Sequence, residues 1–141
     1  MIIAVSGGFD PLHSGHVNMF RQAHWFGSVW VILNTDEWLK RKKGFVMLPY
    51  KERYEIISST QYVSKVIKAK DNDDTVVNNL KEFVKNGLEF SFANGGDRIP
   101  TTTPEMVYCF EHNIPMLFNI GGVKTESSSK IIRNLLDQAT K

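Results

Sequence analysis

Five short apolar runs, rich in β-branched residues, punctuate the chain at residues 2–5, 29–33, 63–69, 90–93 and 116–120. They read as strands buried in a parallel sheet. Between them lie segments with helical spacing of apolar positions, at residues 15–26, 49–60, 75–86, 104–112 and 128–138. Strand and helix therefore alternate, which predicts right-handed crossovers and a five-stranded, mainly parallel, doubly wound α/β sheet. Local signals mark two helix starts. Asp74 is expected to cap residues 75–77, and Thr103-Pro104-Glu105 supplies a cap, a proline at the first helical position and an early acid. In such a sheet ligands bind beyond the carboxyl ends of the strands, where the strand order reverses, so the loops that follow the strands are the ones to inspect.

Composition narrows the function. At 141 residues with 42% hydrophobic content, the chain fits one compact domain, residues 1–141, with a real core. A formal net charge of +2 is too small to imply nucleic-acid binding, so any nucleotide partner should be small. The single cysteine, Cys109, excludes an internal disulfide, and no C-x-x-C or zinc-spaced histidine pair accompanies it. No apolar stretch is long enough for a membrane span or a secretory signal, and a cytoplasmic location is the expectation. Packing accounts for His24, Trp25, Trp30, His112 and Cys109.

Chemistry concentrates after the first strand, in Gly7-Gly8-Phe9-Asp10-Pro11-Leu12-His13-Ser14-Gly15-His16. A strand feeding a glycine turn and then a helix leaves unpaired N–H groups and the positive helix end where an anion can settle. His13 and His16, three residues apart, can both face one side of the first helical turn and converge on one phosphate. This strand, G-x-F-D-P-x-H-x-G-H, helix arrangement resembles the nucleotidyltransferase superfamily with an H-x-G-H signature, which includes the cytidylyltransferases. The resemblance implies a Rossmann-like domain that transfers a nucleoside monophosphate from CTP or ATP to a phosphorylated acceptor and releases pyrophosphate. It implies that Gly7, Gly8, Phe9, Asp10 and Gly15 belong to the nucleotide site. His13 and His16 would act as donors toward the α-phosphate and the leaving pyrophosphate, not as general bases, because the acceptor phosphate is already anionic.

The resemblance extends along the chain. After the second strand, Asn34-Thr35-Asp36-Glu37 runs into the cations Lys40, Arg41, Lys42 and Lys43, which form either a solvated basic loop or a polyphosphate contact. A T-D-E turn followed by lysines is similar to the cytidylyltransferase segment beside the triphosphate, and Lys43 is the residue chosen for a catalytic role. Arg53, in Leu48-Pro49-Tyr50-Lys51-Glu52-Arg53, either anchors the acceptor phosphate or ties its helix to a carboxylate; it is assigned to acceptor binding together with Asp36. Where glycerol-3-phosphate cytidylyltransferases have R-Y-V-D-E-V, this chain has Gln61-Tyr62-Val63-Ser64-Lys65-Val66, a departure that counts against that acceptor.

The fourth strand ends in Asn94-Gly95-Gly96-Asp97-Arg98, similar to the K-G-G-D-Y of heptose-phosphate nucleotidyltransferases, which implies nucleoside contacts at Asn94, Gly95, Gly96 and Asp97. Asp97 capping its own turn is the competing reading. The last strand leads to Lys124 and to Ser127, Ser128 and Ser129, whose hydroxyls and amides at a helix start suit an anion. This resembles the superfamily's closing R-T-x-G-I-S-T-[ST] motif, which implies nucleotide binding by Ser127, Ser128 and Ser129 and a catalytic role for Lys124 in the arginine's place. The likeness to heptose-type enzymes, reinforced by Asp73-Asp74-Thr75, implies a sugar-phosphate or polyol-phosphate acceptor, Mg²⁺ bound with the triphosphate and no protein ligand to the metal. By analogy a homodimer is possible. Glycerol-3-phosphate, pantetheine-phosphate and nicotinate-mononucleotide transfer are the alternative enzyme readings, and a nucleotide-binding module without turnover is the non-enzyme one.

Overall fold

The structure, a computed structural model, describes residues 1–95, 103–120 and 128–140. Its strands are β1 (Ile2–Gly7), β2 (Ser28–Leu33), β3 (Val63–Lys68), β4 (Phe90–Gly95) and β5 (Met116–Ile120). The helices are α1 (Ser14–His24), α2 (Asp36–Lys43), α3 (Tyr50–Ser58), α4 (Val77–Lys85), α5 (Pro104–Glu111) and α6 (Ser128–Ala139). All strand pairs are parallel, in the order β3-β2-β1-β4-β5. The five predicted strands and the doubly wound α/β class are all present.

Alternate residues of the central strands feed two cores. Ile3, Val5, Val29, Val31 and Leu33 pack with Phe20 and Ala23 of α1 and Ile57 of α3. Ala4, Ile32, Phe90 and Phe92 pack with Leu80 and Phe83 of α4 and with Tyr108 and Cys109 of α5. The helix pairs thus cover opposite faces of the sheet. The chain winds outward from β1 to β3, then crosses to β4 beside β1, so the order reverses between β1 and β4. The crevice that this reversal opens lies at the carboxyl ends of those strands, at Gly7 and Gly95.

The structure corrects several local expectations. The basic segment after β2 is the helix α2, not a loop: Thr35 caps it by accepting from Trp38 N at 3.2 Å, and Gly44 closes it in the left-handed conformation at φ 85°. Asp36 and Glu37 occupy its first turn and Lys40 to Lys43 its last, an arrangement that complements the helix dipole. Leu39 is its one fully buried residue, so no apolar period announced it. Asp74 does not cap α4. Its backbone is left-handed at φ 65° and its carboxylate takes Arg41 Nε at 2.8 Å, while Asp73 receives the Thr75 amide and Glu105 the Val76 amide. Thr103-Pro104-Glu105 does open α5, with Thr103 accepting from Met106 N at 3.2 Å. Trp25, 83% exposed, is not a packing residue, and His24 and His112 are exposed as well. Among the described residues no helix is long and apolar enough to cross a membrane.

Cys109 is a fully buried residue of α5, and its thiol pKa is pushed up to about 11, first by burial and then by the nearby Glu105 carboxylate. Thiolate therefore forms only as pH approaches that value. Alkylation by iodoacetamide at pH 8 should be about 100-fold slower in the native protein than in urea, as followed by mass spectrometry; equal rates would contradict this burial.

Candidate nucleotide-transfer site

At the end of β1 the chain turns through two glycines whose missing side chains let other groups close in. A Cβ on Gly7 would lie 2.9 Å from the Phe9 ring, and one on Gly8 would lie 2.8 Å from Leu39 of α2. Phe9, at φ 51°, folds its ring back into the core, where it meets Phe20 at 5.4 Å and His16 edge-on at 4.8 Å. It therefore supports the histidine from below instead of facing a nucleotide. Asp10 is buried and spends its carboxylate on the chain itself, receiving Met47 N and Leu48 N, each at 2.7 Å. Phe9 and Asp10, both expected among the nucleotide contacts, have buried side chains with partners inside the protein.

His13 and His16 are held by a reciprocal cap. His13 is the N-cap of α1, and its Nδ1 accepts the Gly15 amide at 3.1 Å. His16 Nδ1 in turn accepts the His13 amide at 3.2 Å. The rings stack, with centroids 3.7 Å apart and planes 26° from parallel. Since each Nδ1 receives a backbone N–H, the proton of each neutral imidazole is assigned to Nε2. Both rings thereby carry Nε2–H as the donor end, at the positive end of α1. Gly15 supplies the amide that fixes the His13 tautomer.

Lys43 comes to this turn from the last turn of α2, with its amine 3.4 Å from the Asp10 carbonyl. The approach requires α2 to be held firmly, and two buried charges hold it. Arg53 of α3, with a side chain of 0% exposure, donates from Nε to Leu48 O at 2.9 Å. Its Nη1 donates to Gly8 O at 2.9 Å and Asn34 O at 2.8 Å, and Nη2 pairs with Asp36 Oδ1 at 2.6 Å. Of the two readings of Arg53, the structure shows the one in which it ties its helix to a carboxylate, that of Asp36. The guanidinium is buried and bonded to three loops, and Asp36 is its counter-ion. Beside it, the half-buried Tyr50 ring lies 5.6 Å from the guanidinium carbon and 5.5 Å from Lys68 Nζ. Its phenol pKa is raised, first by burial and then by Tyr54, against a smaller lowering by Arg53.

The second buried charge is Asp71, just beyond β3. Its carboxylate accepts Thr35 N and Thr35 Oγ1, each at 2.9 Å, and Asn34 Nδ2 at 3.1 Å. The sequence pattern offered no sign of this residue, whose partners lie 36 and 37 positions away. Among the remaining candidates, Asn94 and Gly95 end β4 beside β1, and Ser128 and Ser129 begin α6; their side chains lie outside the description. Gly96, Asp97, Lys124 and Ser127 lie outside the described residues. Among the described residues no cluster of three or more His, Cys, Asp or Glu could hold a metal ion.

Arg53→Lys keeps the charge but loses the fork that serves four oxygens. It should lower unfolding stability by about 2–4 kcal/mol in denaturant titration. Unchanged stability with a raised acceptor KM alone would restore the acceptor role.

The sequence matches the cytidylyltransferase-like family over residues 4–134. It is 46% identical over 55 residues to the bifunctional phosphopantetheine adenylyltransferase/NTP phosphatase of Thermoplasma volcanium, which covers 38% of this chain and 17% of that protein. It is 31% identical over 83 residues to the glycerol-3-phosphate cytidylyltransferase of Bacillus subtilis, covering 55% and 64% respectively. The ethanolamine-phosphate cytidylyltransferase of Dictyostelium discoideum is 34% identical over 65 residues, 45% of this chain and 18% of that one. The chain thus matches only part of each relative's length. In three dimensions it superimposes on the lipopolysaccharide core biosynthesis protein of Thermoplasma volcanium with a TM-score of 0.66, over 90% of this chain and 98% of that one. At 16% identity this is a likeness of fold. With the family match running from β1 into α6 and an H-x-G-H turn seated where the strand order reverses, the chain belongs to the cytidylyltransferase-like family.

Proposed function

We propose that this protein transfers a nucleoside monophosphate from CTP or ATP to a phosphorylated sugar or polyol and releases pyrophosphate. The observation that carries the reading is the pair of stacked imidazoles whose Nδ1 atoms are occupied by backbone amides, leaving both Nε2–H groups as donors at a helix N-terminus. In this reaction an acceptor phosphate oxygen attacks the α-phosphorus, the bond from that phosphorus to the bridging oxygen breaks, and the electron pair departs with pyrophosphate. No proton need be removed from the nucleophile. What the reaction demands is positioning, together with donors for charge that grows on the α-phosphate and the leaving group. The Nε2–H groups supply such donors, and Lys43 adds a cation from the α2 side.

The local donor set of N–H and ammonium groups suits phosphate oxygens, not a divalent cation. In this reading Mg²⁺ enters on the triphosphate and neutralises the departing pyrophosphate. The similarity to the glycerol-3-phosphate enzyme of Bacillus subtilis supports a polyol phosphate as one acceptor class. The similarity to the phosphopantetheine adenylyltransferase of Thermoplasma volcanium favours a second reading, adenylyl transfer to phosphopantetheine.

Pyrophosphate release, measured for four nucleoside triphosphates against phosphorylated sugars, polyols and phosphopantetheine, tests the proposal. One triphosphate–acceptor pair should exceed all others by at least about tenfold in kcat/KM; tight nucleotide binding with no release for any pair would leave a binding module instead. His16→Ala should lower kcat by roughly 10²–10³-fold, as for a lost transition-state donor. Its loss from the cap should cost only about 0.5–2 kcal/mol of stability. Turnover at the wild-type rate in that variant would remove His16 from the mechanism.

A further inference from the structure

We propose that Asp71 is a positioning residue for Lys43, acting through α2 from outside the site. The inference rests on the transfer reading above, since it assigns Lys43 a place in that chemistry. The helix has eight residues and one fully buried side chain, Leu39, so packing alone fixes its direction poorly. Its first turn is instead pinned by hydrogen bonds. Thr35 is both the N-cap, accepting Trp38 N at 3.2 Å, and the principal partner of Asp71, to which it gives its amide and its hydroxyl. One hydroxyl thus joins the helix end to a buried carboxylate. Arg41, on the same helix, donates to Asp71 O and pairs with Asp74, each at 2.8 Å, adding a second attachment to the segment after β3.

The lever is short enough to be stiff and long enough to matter. Thr35 and Lys43 are separated by about 12 Å of helix, so a tilt of about 10° at the capped end would move the Lys43 backbone by about 2 Å. A displacement of that size is large for an ammonium group that must meet a reacting phosphate. The hydrogen bonds of the Asp71 carboxylate go to Asn34 and Thr35, so its influence on Lys43 passes through Thr35 and α2. Asn34 ties this pin to the Arg53 cluster, donating from Nδ2 to Asp71 while its carbonyl accepts from Arg53.

The test is a double-variant cycle of Asp71→Asn with Lys43→Met. Asp71→Asn should lower kcat about tenfold in the wild-type background and less than about twofold when Lys43 is already absent. Equal losses in the two backgrounds would overturn the proposal, because a merely structural aspartate acts independently of Lys43. Thr35→Val, which removes the hydroxyl, should reproduce the pattern and replaces Asp71→Asn if that variant does not fold. A second measurement needs no turnover: with lysines carbon-13-methylated, the Lys43 resonance should move toward those of exposed lysines in Asp71→Asn. An unmoved Lys43 resonance overturns the proposal even if the wild type transfers no nucleotide, whereas a shifted resonance in a protein without turnover sustains the positioning and refutes the reaction alone.

Discussion

The site is built around one buried guanidinium. Arg53 has exchanged water for four oxygens drawn from three separate loops and from Asp36. Burying such a charge costs several kcal/mol unless its donors find partners, and here each of the three nitrogens has at least one. Only arginine presents donors in a planar fork that can serve a carboxylate and several carbonyls at once. As a result the histidine turn, the β2–α2 loop and the approach to α3 cannot shift independently. Asp10 fastens the same approach from the other side through two amides, so residues 47 and 48 are gripped by an anion and a cation together.

Opposite charge stands a short distance away. Asp71 receives three donors without a cation on its carboxylate, an arrangement tolerable because amide and hydroxyl dipoles replace the lost solvent. Asn34 links the two buried charges, accepting from Arg53 with its backbone and donating to Asp71 with its side chain. The start of α2 is held from the α3 side by Arg53 and from the β3–α4 segment by Asp71, so a helix with little core of its own gains a defined direction. What the framework delivers to the crevice is simple: two imidazoles already committed to one tautomer and a lysine at the end of a braced helix. A group transfer whose nucleophile arrives ionised gains mainly from such preorganisation.

Much of this was legible in the order of residues. Apolar runs marked all five strands, most plainly β1 and β2, which are continuous and β-branched because both faces of the sheet are covered there, and Thr103-Pro104 marked the start of α5. The H-x-G-H turn was readable because its function is local: cap, glycine and imidazoles lie within one helical turn. The helix α2 was hidden by its composition, since a four-cation run reads as solvated loop until the caps at Thr35 and Gly44 are recognised as belonging to one element. Asp10 and Arg53 carry the right chemistry for ligand contact, and nothing nearby in the chain reveals that each is consumed by other segments. Asp71 gave no signal at all.

The division follows the range of the interactions. Periodicity, capping and turn chemistry act over a few residues, so the amino-acid order alone established the strand–helix alternation, the place of the crevice and the imidazole pair. Which polar groups face a substrate and which are spent within the protein depended on contacts such as Arg53 with Gly8, 45 positions apart, and Asp71 with Thr35, 36 apart. Those partners exist only once the sheet brings distant loops to one edge. Burial then decides the role, because a charged side chain cut off from water must bond to whatever the fold has placed beside it.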